Sequence, residues 1–155
     1  MPAMPPASAP GAWPTHRTFT VTYHDLDVLN HLNHATYFPW METLRCDYYL
    51  PLLRTADPSS LDIIVAEASC RYLAPVGYGV ELLGEVAPAR PLGRTSFVLL
   101  YRFSEVNDPH RVVARGRTVV VSFDYRANSK KEIPGPLRTR METDGVDPAT
   151  EGWSA

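Results

Sequence analysis

The sequence predicts an α+β fold: an antiparallel sheet of about five strands with one long apolar helix against it. Three observations carry that expectation. The hydrophobic period is two, changes once to 3.6, and then returns to two. The β-forming stretches that follow the helical one are joined by short connections, which favours antiparallel pairing. The chain has 155 residues, and setting aside a Pro-rich start and a polar end leaves about 120, enough for one core and too few for two.

Residues 1–15 read as a flexible leader, with five prolines (Pro2, Pro5, Pro6, Pro10, Pro14) and no charged side chain. They lack the basic start and unbroken apolar run of a signal peptide. The domain is expected over residues 16–136. Arg17 to Tyr23 alternates and is rich in β-formers, giving a first strand. After a polar stretch from His24 to Asn33, the residues Tyr37, Trp40, Met41, Leu44 and Tyr48 form one stripe of a helix running from His34 to about Leu50. Asn33 is a suitable N-cap, and Pro51 with Asp57-Pro58 closes the helical region. Pro39 must lie in the first turn, or it bends the helix. Further strands are expected at Leu61 to Leu73, at Gly79 to Ala89 after the breaker Pro75-Val76-Gly77, at Arg94 to Glu105, and at Arg111 to Tyr125 after a turn at Asn107 to His110. In the third of these, Thr95, Phe97, Leu99, Tyr101 and Phe103 share one face. Residues 137–155 show no periodicity and read as a polar acidic tail with two arginines against four acidic side chains.

Charge narrows the partners. Residues 16–136 carry 13 basic and 13 acidic groups, without the basic excess of a nucleic-acid binder. No run approaches the ~18 apolar residues of a membrane span. Cys46 and Cys70 lack paired or metal-like spacing, which fits reduced thiols and a cytoplasmic protein.

The chemistry is concentrated between the first strand and the helix. Asp25, Asp27, Asn30, His31, Asn33 and His34 crowd into a few residues just ahead of a helix start. Such a start presents unpaired amides and the positive end of the macrodipole, which can polarise a carbonyl or hold an oxyanion. A carboxylate held beside it can activate water or attack directly. Together these suffice to hydrolyse an activated acyl group. Other readings compete at this point. Asp27 can be a turn or capping carboxylate, with Asp25 in a loop hydrogen bond. His24, Asp27, His31 and His34 can be metal ligands. Glu42 can be a base or simply the partner of Arg45.

The string Asp25-x-Asp27-x-x-x-His31-x-Asn33-x-Ala35-x-Tyr37, continued by Trp40-x-Glu42-x-x-Arg45, resembles the hot-dog-fold acyl-CoA thioesterases of the 4-hydroxybenzoyl-CoA thioesterase type, above all the bacterial long-chain acyl-CoA branch. Tyr72-Leu73-Ala74-Pro75, Gly93-Arg94-Thr95-Ser96-Phe97 and Ala114-Arg115-Gly116 follow in the right order, so the likeness spans about Arg17 to Arg140. It implies a sheet wrapped around the helix, a homodimer or homotetramer, and hydrolysis of acyl-CoA to free acid and CoA without a cofactor or metal. It also implies Asp27 as catalytic carboxylate and the backbone amide at His34 as the oxygen-binding donor. His31, Asn33, Tyr37 and Arg94 are the accompanying substrate-binding candidates. For the CoA phosphates, Arg90, Arg94, Arg115, Arg117, Arg126, Lys130 and Lys131 are available, with Arg111, Arg115 and Arg117 on one strand face. Asn30 stands where many members have Gly, and Asn tolerates the positive φ such a turn needs. A non-catalytic acyl-CoA-binding module is the alternative the same resemblance allows.

Overall fold

The computed structural model describes residues 12–55 and 61–153. The expected leader lies mostly outside the described residues. Among the described residues, six strands, β1 (Thr15–Thr20), β2 (Ile63–Tyr72), β3 (Glu81–Pro88), β4 (Ser96–Glu105), β5 (Asp108–Asp124) and β6 (Ser129–Lys130), accompany two α-helices, α1 (Tyr37–Leu53) and α2 (Gly135–Asp144). The main sheet is antiparallel in the order β1-β3-β4-β5-β2, and β6 pairs with the end of β5. This is the antiparallel sheet of about five strands that the alternation predicts, curled around the long helix as the resemblance implies.

Consecutive strands pair at β3–β4 and β4–β5, but β2 and β3 do not. The chain from Leu73 to Val80 instead carries it from one side of the sheet to the other. On the way it is tied to the segment ahead of α1, where Leu32 N donates to Val76 O at 2.7 Å and Gly79 N to Val21 O at 2.9 Å. That crossing becomes one wall of the cleft described below.

The helix lies on the concave sheet face because both surfaces are apolar there. Tyr37, Met41, Leu44, Tyr48, Tyr49 and Leu52 are buried on α1. They meet Leu82 and Val86 of β3, Phe97, Leu99, Tyr101 and Phe103 of β4, and Ala114 and Val120 of β5 in one cluster. Each fully buried side chain of this size contributes about 1.5–3 kcal/mol of burial energy. Gly116 of β5 lets the helix come close: a Cβ there would lie 2.1 Å from Met41 Sδ. Trp40, at the edge of the stripe, stacks on Phe19 of β1 with ring centroids 4.7 Å apart.

Both prolines of the helix have definite places. Pro39 is the third residue of α1, within the turn whose N–H groups have no intrahelical acceptor, so its missing donor costs nothing there. Pro51 does not end the helix as expected. It sits inside the last turn, and the helix ends two residues later at Leu53, capped by Arg54, whose left-handed backbone (φ 56°) directs its N–H back to Leu50 O and Pro51 O.

The acidic stretch after residue 136 corrects the expectation of a polar tail. Residues 135–144 form α2, with Leu137, Met141 and Asp144 buried. Asp144 Oδ2 accepts from Arg140 Nε at 2.9 Å and from the Tyr48 hydroxyl at 3.1 Å, tying α2 to α1. Beyond it, Val146 and Trp153 join Ala87, Ala89 and Leu100 in a small second cluster on the outer sheet face. There Trp153 lies under Arg71 and Trp13 under Arg102.

Candidate active site

Residues 22–36 arrange themselves through local hydrogen bonds. Thr22 and Asp25 close a capping box, the Asp25 carboxylate accepting from Thr22 N and from its hydroxyl, both at 2.7 Å. Asp25 is therefore used structurally, as its loop reading anticipates. Next comes a tight turn. Asp27 N donates to His31 O at 2.8 Å, Asn30 N donates to Asp27 O at 3.0 Å, and Asn30 adopts φ 58°. Asn takes that positive φ with little strain, so the turn forms without a glycine there.

Asp27 braces the turn with one carboxylate oxygen. Oδ1 accepts from Leu29 N at 2.8 Å and from His31 N at 3.1 Å. Oδ2 has no hydrogen-bond partner among the described residues, and the side chain is half-buried. Both the turn reading and the chemical one are accommodated: one oxygen holds the loop and the other is available.

Asn33 caps the start of the helical region, its side chain accepting from Ala35 N at 2.9 Å. The first turn, His34–Thr36, is 3-10 and runs directly into α1. Asn33 N donates to Asp25 O, Ala35 N goes to the cap and Thr36 N to Asn33 O, whereas the His34 N–H has no acceptor among the described residues.

Asp27, His34 and Tyr37 line one cleft of about 360 Å³ with Leu32, Tyr72 and the crossing segment Leu73 to Val76. The Tyr72 hydroxyl donates to His34 O at 3.0 Å. Burial raises the Tyr37 hydroxyl well above the ordinary tyrosine value, with smaller effects of Cys70 and Tyr72. Burial likewise pushes the Cys70 thiol up to about 11, against a weaker opposite effect of its hydrogen bond with Tyr72. The cleft thus combines an apolar, weakly hydrated aromatic side with a polar mouth.

The other candidates divide. His31 is exposed and serves the turn through its backbone. Arg94 is not brought to this cleft. It pairs with Glu132 at 2.9 Å beside β4, whose Phe97 stacks on Tyr49 in the C-terminal half of α1. Arg117 pairs with Glu67 and Arg111 with Glu105, while Arg115 Nη1 donates to Glu151 O. Glu42 lies 4.0 Å from Arg45, the pairing its spacing suggests. Among the described residues, no group of three or more His, Cys, Asp or Glu side chains is placed to hold a metal ion. Sequence reasoning missed the wall from Tyr72 to Val76. Two signals lay there, the string Tyr72-Leu73-Ala74-Pro75 within the resemblance and the breaker Pro75-Val76-Gly77, but neither says where the chain goes next.

Comparison with known proteins agrees with this architecture. The family model described as Thioesterase-like superfamily matches residues 21–141, which include the whole cleft. A thioesterase-superfamily structure from Jannaschia sp. CCS1 is 22% identical with a TM-score of 0.77, covering 92% of this chain and 99% of that one. A Thermus thermophilus thioesterase complexed with coenzyme A and Zn is 26% identical with a TM-score of 0.70, covering 84% and 98%. A 1,4-dihydroxy-2-naphthoyl-CoA thioesterase from Synechocystis is 18% identical with a TM-score of 0.69, covering 82% and 94%. Among proteins with curated descriptions, none matches the chain by sequence.

Proposed function

The chain belongs to the thioesterase-like superfamily, whose reaction class is thioester hydrolysis, and we propose that it cleaves acyl-CoA to free acid and CoA. One observation carries the reading: a carboxylate oxygen of Asp27 and the N–H of His34, both without a protein partner among the described residues, belong to residues of one cleft at a helix start. A solved relative named as a thioesterase in complex with coenzyme A supports CoA as the carrier.

In this mechanism the thioester carbonyl oxygen accepts from the His34 N–H at the positive end of the helix. Asp27 Oδ2 takes a proton from water, and the hydroxide adds to the carbonyl carbon. The tetrahedral intermediate collapses, the C–S bond breaks, and the CoA sulfur leaves with the proton that Asp27 held. Direct attack by Asp27 is the other route. It forms a mixed anhydride, which water then hydrolyses. Single-turnover reaction in 18O-water tests for the covalent route: water adding to the aspartyl carbon of the anhydride leaves label in the Asp27 carboxylate, whereas the general-base route puts label only in the acid product. Asn33 and His31 shape the turn, and Tyr37 lines the cleft beside the acyl group. The protein acts as a homodimer or homotetramer in the cytoplasm: β2 is an edge strand with Ile64 and Val65 exposed, the kind of edge that a second copy covers. Cys46 and Cys70 are both free thiols.

The test is hydrolysis of aryl, short-chain and long-chain acyl-CoA by the wild type, Asp27→Ala and His34→Pro. The last removes the donor at a place that accepts proline, since Asn33 before it is already extended. Loss of about 10²–10³-fold in kcat is expected for His34→Pro. Unchanged turnover in both variants contradicts the mechanism, and binding without turnover in the wild type favours the acyl-CoA-binding module.

A further inference from the structure

Tyr72 has no part in the mechanism above, yet it is placed to control it. It is the last residue of β2, where the chain leaves the sheet edge for the crossing segment. Its ring stands edge-on to His34 at 6.0 Å and 5.6 Å from that of Tyr37, and it lines the cleft. Its hydroxyl donates to His34 O at 3.0 Å. That carbonyl belongs to the residue whose N–H faces no protein acceptor among the described residues, in a 3-10 turn capped by the Asn33 side chain. A 3-10 turn is less well bonded than the α-helix it leads into. The Tyr72 hydroxyl ties it to β2, and hence to the rigid sheet.

We propose that Tyr72 is a positioning residue for thioester hydrolysis: by holding the His34–Ala35 peptide through its carbonyl it fixes the His34 backbone, and with it the direction in which the adjoining Asn33–His34 N–H meets the developing oxyanion. The proposal rests on the reading of His34 as the oxygen-binding donor. The hydroxyl remains protonated through the working pH range, because burial and the neighbouring Cys70 raise it above the ordinary tyrosine value, so the bond to His34 O persists. A donor aimed before the reaction needs no reorganisation during it, and small misplacements at such a centre cost disproportionately in rate. Leu73 N and Ala74 N both donate to Val113 O, anchoring the backbone just after the tyrosine.

The test is Tyr72→Phe, which keeps the ring and deletes only the hydroxyl. Two readouts are taken on the full chain: steady-state kinetics with the best acyl-CoA of the panel, and hydrogen exchange of the peptide spanning residues 29–40. The expected result is a kcat about five- to twentyfold lower with KM within about twofold, an unchanged melting temperature, and exchange at residues 34–36 several-fold faster. Unchanged exchange overturns the proposal, because the bond then fixes nothing. A raised KM with unchanged kcat also overturns it, since Tyr72 would then be a substrate contact. Faster exchange in a chain that hydrolyses no acyl-CoA refutes the thioesterase reading and the catalytic purpose, while leaving the link between Tyr72 and the turn intact.

Discussion

Two aspartates serve α1 in opposite ways. Asp144, beside its C-terminal half, is buried and engaged by Arg140 and by the Tyr48 hydroxyl. Asp27, ahead of its N-terminus, is half-buried, commits one oxygen to its own turn and leaves the other unpartnered among the described residues. A carboxylate buried with satisfied partners holds a fold together. One held rigidly by a single oxygen at the mouth of a cleft keeps capacity for a substrate. The contrast extends to the amides: the N–H groups around His34 are bonded, while that of His34 itself faces no protein acceptor among the described residues.

The comparison can be broken first at the structural end. Asp144→Ala leaves the Arg140 guanidinium, about 10% exposed as a side chain, without this carboxylate, and should cost about 3–5 kcal/mol in denaturant unfolding. Turnover per folded molecule should stay unchanged, and reduced turnover at full folding would erase the distinction. Gly116→Val comes next. It forces atoms against Met41 Sδ and Tyr101 Cβ in the core, with an expected cost of about 1–3 kcal/mol. Asn33→Ala deletes the cap on the His34 turn and should lose about 1 kcal/mol of stability. Here turnover should fall as well, because the same bond orients the site. Arg94→Ala removes an exposed ion pair, so stability should change by less than about 0.5 kcal/mol and turnover by less than threefold.

Much of this difference was legible in the sequence. The crowding of Asp27, His31, Asn33 and His34 before a helical stripe marked the open site, and Asn33 does cap the turn there. Pro39 could be reconciled with the helix only in its first turn, which is where it lies. The satisfied site was invisible for a physical reason. In α2, Leu137 and Met141 stand alone among charged and polar neighbours, and the partners of buried Asp144 include Tyr48, 96 positions away, besides Arg140. Periodicity reports apolar faces, not a carboxylate covered by a helix that lies far away in the chain. The crossing from Tyr72 to Val80 was hidden likewise, since adjacent β-stretches read as neighbours and nothing local says that β2 pairs with β5.

The most direct measurement sets Asp27→Asn beside Asp144→Asn, reading kcat on acyl-CoA and melting temperature from the same preparations. Asparagine keeps the oxygen that accepts from Leu29 N and His31 N, so Asp27→Asn should melt within about 2 °C of the wild type while losing at least about 10²-fold in kcat. Asp144→Asn should show the reverse, a lowered melting temperature with kcat intact. Turnover of Asp27→Asn within about threefold of the wild type would contradict the assignment of the reaction to this cleft.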